Sequence, residues 1–290
     1  MSPRVVACAA PALAAWLGAG AALAACPSDE QVGALADAMI QRRTVPLQST
    51  DMTDPEDAAC GRDKLVARLE PTLGRRVGHK AALTNPAVQK VFGYPQPVRG
   101  VLLERMLHRS GAVLSLQGAT PSFEADLVVE VASADINEAA TPLQVLRAVK
   151  AVYPFIEVPR IVFQAPPPAV GGLNLAYSNA GAFAGVLGEP VTVSATPEGV
   201  QALAEMTVTL TDGDGKPLDS AKGAAILGHP LNAVIWLAQD LRRSGAALRP
   251  GDLLSLGSFS RLHAATPGAG ARARYEGLPG SPEVAVRFAP

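Results

Sequence analysis

Apolar residues recur at helical spacing in some parts of the chain and at alternating spacing in others. The helical pattern predicts helices at about residues 32–43, 61–69, 141–153 and 230–244. In the first of these, Leu35, Met39 and Ile40 fall on one face, and in the third Thr141 is a helix-capping residue. Helices are therefore expected mainly at the start of the chain, with single helices interrupting the rest.

Short strands are predicted for most of the remaining chain. One lies at residues 77–83, and from Val101 onward short apolar or alternating runs recur, each bounded by Gly, Pro, Asn or Asp. The runs are VLLERML, AVLSLQ, FEADLVVEVA, FIEVPRIVF, EPVTVS and MTVTLTDGDG. The polar segment 44–57 and the proline-rich segment 164–172 are predicted to be loops. We therefore predict an α+β protein in which a small helical N-terminal portion precedes a large, strongly bent mixed β-sheet body.

Composition narrows the class of function. The chain has 290 residues, 48% hydrophobic content and a formal net charge of -1, which is typical of a globular protein with a sizeable core. The 25 Lys and Arg residues balance 26 Asp and Glu, and no basic block is longer than an Arg-Arg pair. A nucleic-acid partner is therefore not expected, and small-molecule chemistry remains open.

Residues 1–25 are predicted to be a secretory signal peptide. An early positive charge at Arg4 is followed by an apolar, alanine-rich run that ends in small residues. A cut after Ala24 satisfies the A-x-A rule, whereas residues 23–26 also resemble a bacterial lipobox, which would place a lipid anchor on Cys26. A membrane anchor is the alternative, which proline and small-residue breaks disfavour. We expect a periplasmic or secreted protein, and a lipoprotein if Cys26 is lipidated.

Two cysteines remain after the predicted leader, Cys26 and Cys60. In an oxidising compartment two such cysteines can pair, and a bridge closing a loop of this size would stabilise the fold by roughly 3 to 4 kcal/mol. Two unpaired thiols are the alternative. If Cys26 carries lipid, Cys60 has to remain free.

An E-x-D pair is the most informative local pattern. In the run SFEADLV, alternation places Glu124 and Asp126 on one strand face and Phe123 on the other. Backbones two residues apart on a strand are separated by roughly 6 to 7 Å, so both side chains can approach one hard cation such as Mg²⁺ or Mn²⁺. The alternative is a solvated acidic edge, which Glu130 would extend.

A third acid, Glu157, lies in the apolar run YPFIEVP. A carboxylate in such a run is costly to bury unless it is paired or binds a ligand. Glu157 is therefore either part of a site or the partner of Arg160 or Lys150 in a salt bridge, and its position alone favours neither.

Several ordered motifs then resemble one family. Residues 78–89, GHKAALTNPAVQ, resemble the G-x-K-x-x-L-T-x-x-A-x-Q signature of the 2-keto-4-pentenoate hydratase and 4-oxalocrotonate decarboxylase family, part of the fumarylacetoacetate hydrolase superfamily. Residues 100–106 resemble its G-x-L-x-x-x-M signature. The C-terminal runs that also resemble the family are residues 228–238, 248–252 and 257–258. Because the motifs occur in the family's order over about residues 78–288, the chain is identified as a member.

The resemblance implies a domain organisation and a metal. Residues 26–75 would form the helical N-terminal portion, and residues 76–290 a catalytic domain of the fumarylacetoacetate hydrolase C-terminal-domain type. Glu124, Asp126 and Glu157 fall where the family keeps its three acidic ligands for a divalent cation, Mg²⁺ or Mn²⁺. The cation would chelate the carboxylate and 2-oxygen of a short 2-hydroxydienoate or 2-keto acid.

The resemblance also implies roles on the substrate side. Lys80 matches the family lysine near the bound substrate, where its ammonium would hold a carboxylate or relay a proton. The residues expected to bind substrate are Leu83, Thr84, Asn179 and Ser258. His79 is interpreted as a structural or lining residue. Relatives often assemble through the β-rich body, so a homo-oligomer is expected.

The chain departs from the family's pattern at several positions. Where the family has A-D-N-A-S, residues 177–181 read YSNAG and keep only the Asn-Ala centre, with changes at Ser178 and Gly181. Leu256 replaces the threonine of the family's T-G-S and removes a hydroxyl, and Asn85 replaces its serine after L-T. These changes leave the metal site intact and leave the substrate and the full activity open.

Three functions are compatible with these residues. We predict a metal-dependent hydratase, a lyase of aromatic catabolism that adds water to a 2-hydroxy-2,4-dienoate to give a 4-hydroxy-2-keto acid. A related decarboxylase of an oxalocrotonate-like diacid, or an acylpyruvate hydrolase, would use the same cation. A periplasmic binding protein that kept the fold without efficient catalysis is the third alternative.

Overall fold

The computed structural model of the chain describes residues 26–48, 51–117 and 121–290. The predicted signal peptide, residues 1–25, lies outside the described residues. In the part of the chain that is described, no helix is both long and apolar enough to cross a bilayer.

Helices dominate the N-terminal portion and strands the rest. The helices in the described residues are α1 (Asp29–Ile40), α2 (Pro55–Leu73), α3 (Pro86–Phe92), α4 (Pro142–Arg147), α5 (Pro167–Tyr177), α6 (Pro197–Glu205) and α7 (Leu231–Arg243). The strands are β1 (Arg76–Ala82), β2 (Val98–Leu103), β3 (Leu107–Arg109), β4 (Ala112–Leu114), β5 (Ser122–Val131), β6 (Val149–Val158), β7 (Ala184–Leu187), β8 (Thr207–Asp212), β9 (Pro217–Lys222), β10 (Leu253–Ser255), β11 (His263–Ala264), β12 (Gly270–Glu276) and β13 (Glu283–Phe288). The α+β class is therefore confirmed.

The strands form two sheets. In the larger sheet the order is β2-β1-β10-β5-β6-β7-β3, and β11 pairs with β5. The smaller sheet has the order β4-β13-β12-β8-β9. β1 is parallel to β10, whereas β5 is antiparallel to both β10 and β6, so the larger sheet is mixed, as predicted. Its order places β1, β10, β5 and β6 side by side although they are distant in sequence.

Two hydrophobic cores hold these layers together. The larger core includes Leu127, Ile156 and Leu237 and lies between the sheets and α7. The second includes Leu65 of α2 and Tyr177 of α5, which pack against β2. The N-terminal helices thus share a core with residues beyond position 76, while the predicted boundary at 75/76 stays a prediction.

The structure joins Cys26 and Cys60 in a disulfide with a Cα–Cα distance of 5.5 Å, which is the predicted pairing. The bridge ties the segment before α1 to the middle of α2. Because a disulfide uses both sulfur atoms, lipidation of Cys26 and this bridge are mutually exclusive.

The end of the predicted helix 141–153 was wrong. α4 begins after the Thr141 cap as expected, but it ends at Arg147, and β6 starts at Val149. Val149 and Val152 are β-branched and favour extended backbone, and Val152 is buried where β6 pairs with β5. The predicted strand at residues 189–194 is reduced to a single bridge between Val191 and Val152.

Two predicted loops were also partly wrong. The segment 164–172 contains the start of α5, with Pro167 and Pro168 at its first two positions. Proline is favourable there because its φ is already helical and the N–H groups of the first turn have no partner within the helix. α2 starts at Pro55 instead of near residue 61. There the carboxylate of Asp54 accepts from the backbone N–H of Asp57 in a capping box, which satisfies the exposed end of the helix.

Candidate active site

Two acids face each other across the middle of the large sheet. In the antiparallel register of β5 and β6, Glu124 lies directly opposite Glu157. Like charges in this position repel each other and destabilise the pair unless another group compensates them. The register therefore brings one acid from each of two apolar runs together, a pairing that the sequence of either strand alone does not show.

Lys80 supplies one compensating charge. It lies on β1, two strands away from β5, and its side chain is only 2% exposed. Its ammonium forms an ion pair with Glu157 and donates to the carbonyl of Ala180 at 3.0 Å. The two salt bridges proposed for Glu157 from sequence were therefore wrong: Lys150 pairs with Glu130 at 2.8 Å, and Arg160 forms no ion pair within the described residues.

Asp126 lies behind this pair and is fully buried. Its Oδ1 accepts from the backbone N–H groups of Leu256 at 3.2 Å and Gly257 at 3.0 Å, and its Oδ2 accepts from the hydroxyl of Ser255 at 2.7 Å. Asp126 is thus hydrogen-bonded to the last residue of β10 and to the two residues that follow it. It does not line the cavity described below.

Burial and crowding oppose ionisation of the acids. Desolvation, followed by the charge of Glu157, raises the pKa of Asp126 to about 8, against the pull of the Ser255 hydrogen bond. The same two causes raise the pKa of Glu124 well above its usual value, while Lys80 lowers it. Burial and crowding therefore favour the protonated forms of Glu124 and Asp126, and a divalent cation that bound these carboxyl groups would have to displace their protons.

A cavity of about 270 Å³ opens onto these groups. Of the predicted site residues, it is lined by Lys80, Leu83, Thr84, Glu124, Glu157 and Ser258. Its remaining wall is mainly apolar and includes Val88, Phe92 and Leu175. One end of the cavity therefore offers charge and hydroxyl groups, and the other suits a short carbon chain.

Thr84 is held by close contact with the segment that replaces the family's T-G-S. Gly257 has a φ of +110°, and a Cβ added there would lie 1.9 Å from Thr84 Oγ1. Only glycine permits this approach. Leu256, at the position of the family's threonine, is fully buried and its backbone N–H serves Asp126.

Asn179 and His79 do not line the cavity. The Asn179 side chain accepts from the backbone N–H of Val101 at 2.7 Å and donates to its carbonyl at 2.9 Å, so it anchors the turn that presents Ala180 to Lys80. Its predicted contact with substrate stays a prediction; in the structure its side chain is used to hold Val101. His79 belongs to the opposite face of β1 from Lys80, and its Nδ1 is buried without a hydrogen bond to any described residue.

Sequence reasoning missed Ser255 and Arg261. Ser255 binds Asp126 because β10 inserts between β1 and β5, and no motif signals that insertion. Arg261 lines the cavity and donates to Asp219 at 3.2 Å. Its position three residues after Ser258 was the only signal in the sequence that could have pointed to it.

As the side chains lie, no three His, Cys, Asp or Glu residues in the described ranges are arranged to hold a metal ion. Glu157 is turned to Lys80 and Asp126 to Ser255. The structure thus brings Glu124 and Glu157 to one end of the cavity with Asp126 buried on the same strand as Glu124, and the metal itself stays a prediction.

Comparisons with known proteins agree on the family. No protein-family model matches the chain. A 2-keto-4-pentenoate hydratase of Paraburkholderia xenovorans is 30% identical over 226 residues, covering 77% of this chain and 81% of the relative. A 2-hydroxypent-2,4-dienoate hydratase of Pseudomonas putida is 30% identical over 217 residues, covering 73% of this chain and 95% of the relative.

Solved structures agree on the fold. The 4-oxalocrotonate decarboxylase from Pseudomonas putida, complexed with magnesium and adipate, has a TM-score of 0.76 at 24% identity and covers 90% of this chain and 98% of its own. The fumarylpyruvate hydrolase from Pseudomonas aeruginosa, in complex with Mn²⁺ and pyruvate, has a TM-score of 0.54 at 17% identity and covers 74% of this chain and 89% of its own. At these identities the likeness shows the fold alone.

Proposed function

This chain belongs to the 2-keto-4-pentenoate hydratase family, a family of lyases, and we propose that it adds water to a short 2-hydroxy-2,4-dienoate to give a 4-hydroxy-2-keto acid. The observation that carries the proposal is the buried Lys80–Glu157 pair, with Glu124 facing it, at the polar end of a cavity whose other end is apolar. The relatives named as hydratases are 30% identical to this chain over the aligned 226 and 217 residues.

The cavity suits the two ends of such a substrate. The ammonium of Lys80 can hold the carboxylate or the 2-oxygen, and the hydroxyls of Thr84 and Ser258 can accept or donate hydrogen bonds beside it. The hydrocarbon end would lie against Val88, Phe92 and neighbouring apolar residues. Its volume, about 270 Å³, suits a small acid.

The acids fit a divalent cation by their chemistry. Carboxylate oxygens are the ligands that Mg²⁺ and Mn²⁺ prefer, and a cation bound by Glu124, Asp126 and Glu157 would displace the protons that burial and crowding favour on Glu124 and Asp126. These three residues would hold the ion, which would compete with Lys80 for Glu157 and with Ser255 for Asp126. When bound, the cation would stabilise negative charge on the substrate oxygens. Magnesium and Mn²⁺ are present in the solved neighbours described above.

Lys80 is the residue placed to move a proton. Net addition of water requires a proton to reach carbon and a proton to leave the attacking water, and the ammonium can relay between them. Its position is held from two sides, by Glu157 and by the carbonyl of Ala180. Asn179 fixes the turn that carries Ala180, so it supports this geometry.

A product assay tests the reaction. The purified chain is incubated with 2-hydroxypenta-2,4-dienoate and Mg²⁺ or Mn²⁺, and products are identified by mass. The proposal expects the gain of one water, at a rate that falls by roughly 10²- to 10⁴-fold in Lys80→Met. Loss of carbon dioxide from an oxalocrotonate-like diacid would indicate a decarboxylase instead. Cleavage of an acylpyruvate would indicate a hydrolase. Binding of these acids without turnover of any would indicate a binding protein.

Export and self-association are further parts of the proposal. The Cys26–Cys60 disulfide supports an oxidising, periplasmic or secreted location, because such bonds persist there. Cell fractionation, with the N-terminus read by mass spectrometry, would contradict export if the chain with Met1 intact is found in the cytoplasm. Sedimentation equilibrium tests the expected homo-oligomer.

A further inference from the structure

A second cavity, of about 310 Å³, lies on the other side of the segment that follows β6. Alternate residues of this segment face the two cavities: Pro159 and Ile161 line the first, whereas Arg160 and Val162 line the second. The two cavities share no lining residue within the described chain. The second cavity is therefore separate from the candidate active site.

The charged side chains that line the second cavity are three arginines among the described residues, Arg42, Arg105 and Arg160. His108 also lines it, but burial lowers the pKa of its imidazole, which favours the neutral ring. Arg42 donates to the carbonyl of Ser115 at 3.0 Å, and Arg105 donates to that of Thr72 at 2.7 Å, so neither is neutralised by a carboxylate in the described chain. The cavity therefore concentrates positive charge.

Arg160 is the residue in this cavity that lacks a partner. It is 6% exposed, and its Nε and Nη2 atoms are buried without an acceptor in the described residues. Its guanidinium lies 5.9 Å from the centre of the Phe183 ring, which the guanidinium of Arg42 also approaches, at 5.7 Å. A buried, unpaired charge is unfavourable, and a second cation at the same ring adds repulsion.

The unpaired atoms indicate the shape of the missing partner. Nε and Nη2 form one edge of the planar guanidinium, and their parallel N–H groups match the two oxygens of a carboxylate. The surrounding wall is apolar and includes Met39, Leu73 and Val162. We propose that this cavity is a binding site for a small organic carboxylate with an apolar body, held by the guanidinium of Arg160, which would turn its buried Nε and Nη2 edge to the ligand.

Arginine side-chain NMR tests this proposal on the full chain. With ¹⁵N-labelled arginine, the Nε–H signal of Arg160 is assigned by its loss in Arg160→Lys, and benzoate is titrated against a matched chloride control. We expect a saturable shift of the Arg160 signal. The signal of Arg75, which is 75% exposed, should move only as it does in chloride.

Variants separate this cavity from the first. Benzoate affinity, measured by calorimetry, should fall roughly tenfold or more in Arg160→Lys, which keeps the charge but loses the planar pair of donors. Arg42→Gln, which leaves Arg160 intact, should weaken binding less. Lys80→Met, which changes a side chain of the first cavity but none of the second, should leave the Arg160 shift unchanged in samples that circular dichroism shows to be folded.

Three results would overturn the proposal. They are an Arg160 signal that does not respond up to the solubility limit of benzoate, a response that disappears in Lys80→Met, and a signal that moves with protein concentration instead of benzoate. The last result would mean that a second copy of the chain supplies the acceptor.

Discussion

Lys80 and Arg160 are both buried cations, yet their surroundings in the fold differ. Lys80 is surrounded by acids and forms an ion pair with Glu157, whereas Arg160 has no carboxylate among the described residues. The polar end of the first cavity therefore crowds facing carboxyl groups around one ammonium, whereas the second cavity holds guanidinium groups without a carboxylate. A cation that displaced the carboxyl protons would relieve the crowding in the first cavity, and an anion would neutralise the unpaired charge in the second.

His79 shows a third way to bury a base. It follows Gly78 on β1 and precedes Lys80, but burial, followed by the nearby charge of Arg99, lowers the pKa of its imidazole to about 3. The ring therefore stays neutral and needs no acid. These three bases define the comparison: one is paired within the fold, one is left for a ligand, and one loses its charge.

Removing Lys80 should have the largest effect. We expect Lys80→Met to reduce turnover by roughly 10²- to 10⁴-fold, because a proton-relaying group is lost. It should also lower the free energy of unfolding by about 3 to 5 kcal/mol, because Glu157 is left buried without its partner. Turnover and urea unfolding are the measurements, and Lys216→Met, at an exposed turn, is the matched control. Full turnover in Lys80→Met would remove Lys80 from the mechanism.

The acids should control cation binding. In Glu124→Gln, Asp126→Asn or Glu157→Gln, affinity for Mn²⁺ should fall by on the order of 10- to 100-fold, measured by calorimetric titration. Glu130→Gln is the matched control on the same strand, because Glu130 pairs with Lys150 away from the site, and it should keep wild-type affinity. Mn²⁺ at a hundred times its Kd should add about 2.7 kcal/mol to the stability of the wild type. Unchanged affinity in all three acid variants would contradict the site.

The lowered pKa of His79 should make the free energy of unfolding fall as the pH becomes acidic. Because the pKa of His79 is lowered to about 3 in the folded chain from an ordinary value of 6.5, the unfolded state binds a proton first as the pH falls. Stability is then complete above pH 6.5 and declines towards pH 3. Between pH 7 and pH 5 this group should remove about 2 kcal/mol. Urea unfolding at both pH values should show a smaller decline in His79→Gln, and an equal decline would exclude His79 as its source.

Removing Arg160 should have the smallest effect on stability, in contrast to Lys80. With no acceptor to lose, Arg160→Met should leave the free energy of unfolding unchanged within about 1 kcal/mol or raise it, because an unpaired buried charge is replaced by an apolar side chain. Thermal and urea unfolding without added anions provide the measurement. A loss as large as that in Lys80→Met would show that Arg160 already has a partner within the protein.

Local patterns were sufficient for much of the site. Alternation placed Glu124 and Asp126 on one strand face, and the unusual acid in an apolar run singled out Glu157. The family's motifs directed attention to Lys80, Thr84 and Ser258, all of which line the cavity or lie at its polar end. Such patterns work because side-chain direction along a strand depends only on neighbouring residues.

Local patterns could not show which partner each residue meets. The helical spacing that followed Thr141 continued past Arg147 into β6, because a run of valines fits either a helix or a buried strand until its neighbours are known. Asn179 has a residue type suited to substrate binding, but it is used to anchor β2. Arg160 was a candidate partner for Glu157 three residues away. Because successive side chains of this segment point to opposite sides, Arg160 lines the second cavity instead.

The sequence by itself determined the fold class, the order of the motifs, the pairing of Cys26 with Cys60 as one of two alternatives, and the acids and the lysine proposed for the site. Tertiary structure alone decided that β10 lies between β1 and β5, that Glu124 opposes Glu157, and that Lys80 meets Glu157 while Arg160 meets no acid. The physical reason is that strand direction is a local property, whereas strand order and register result from how distant segments pack, and the balance of buried charge depends on that packing.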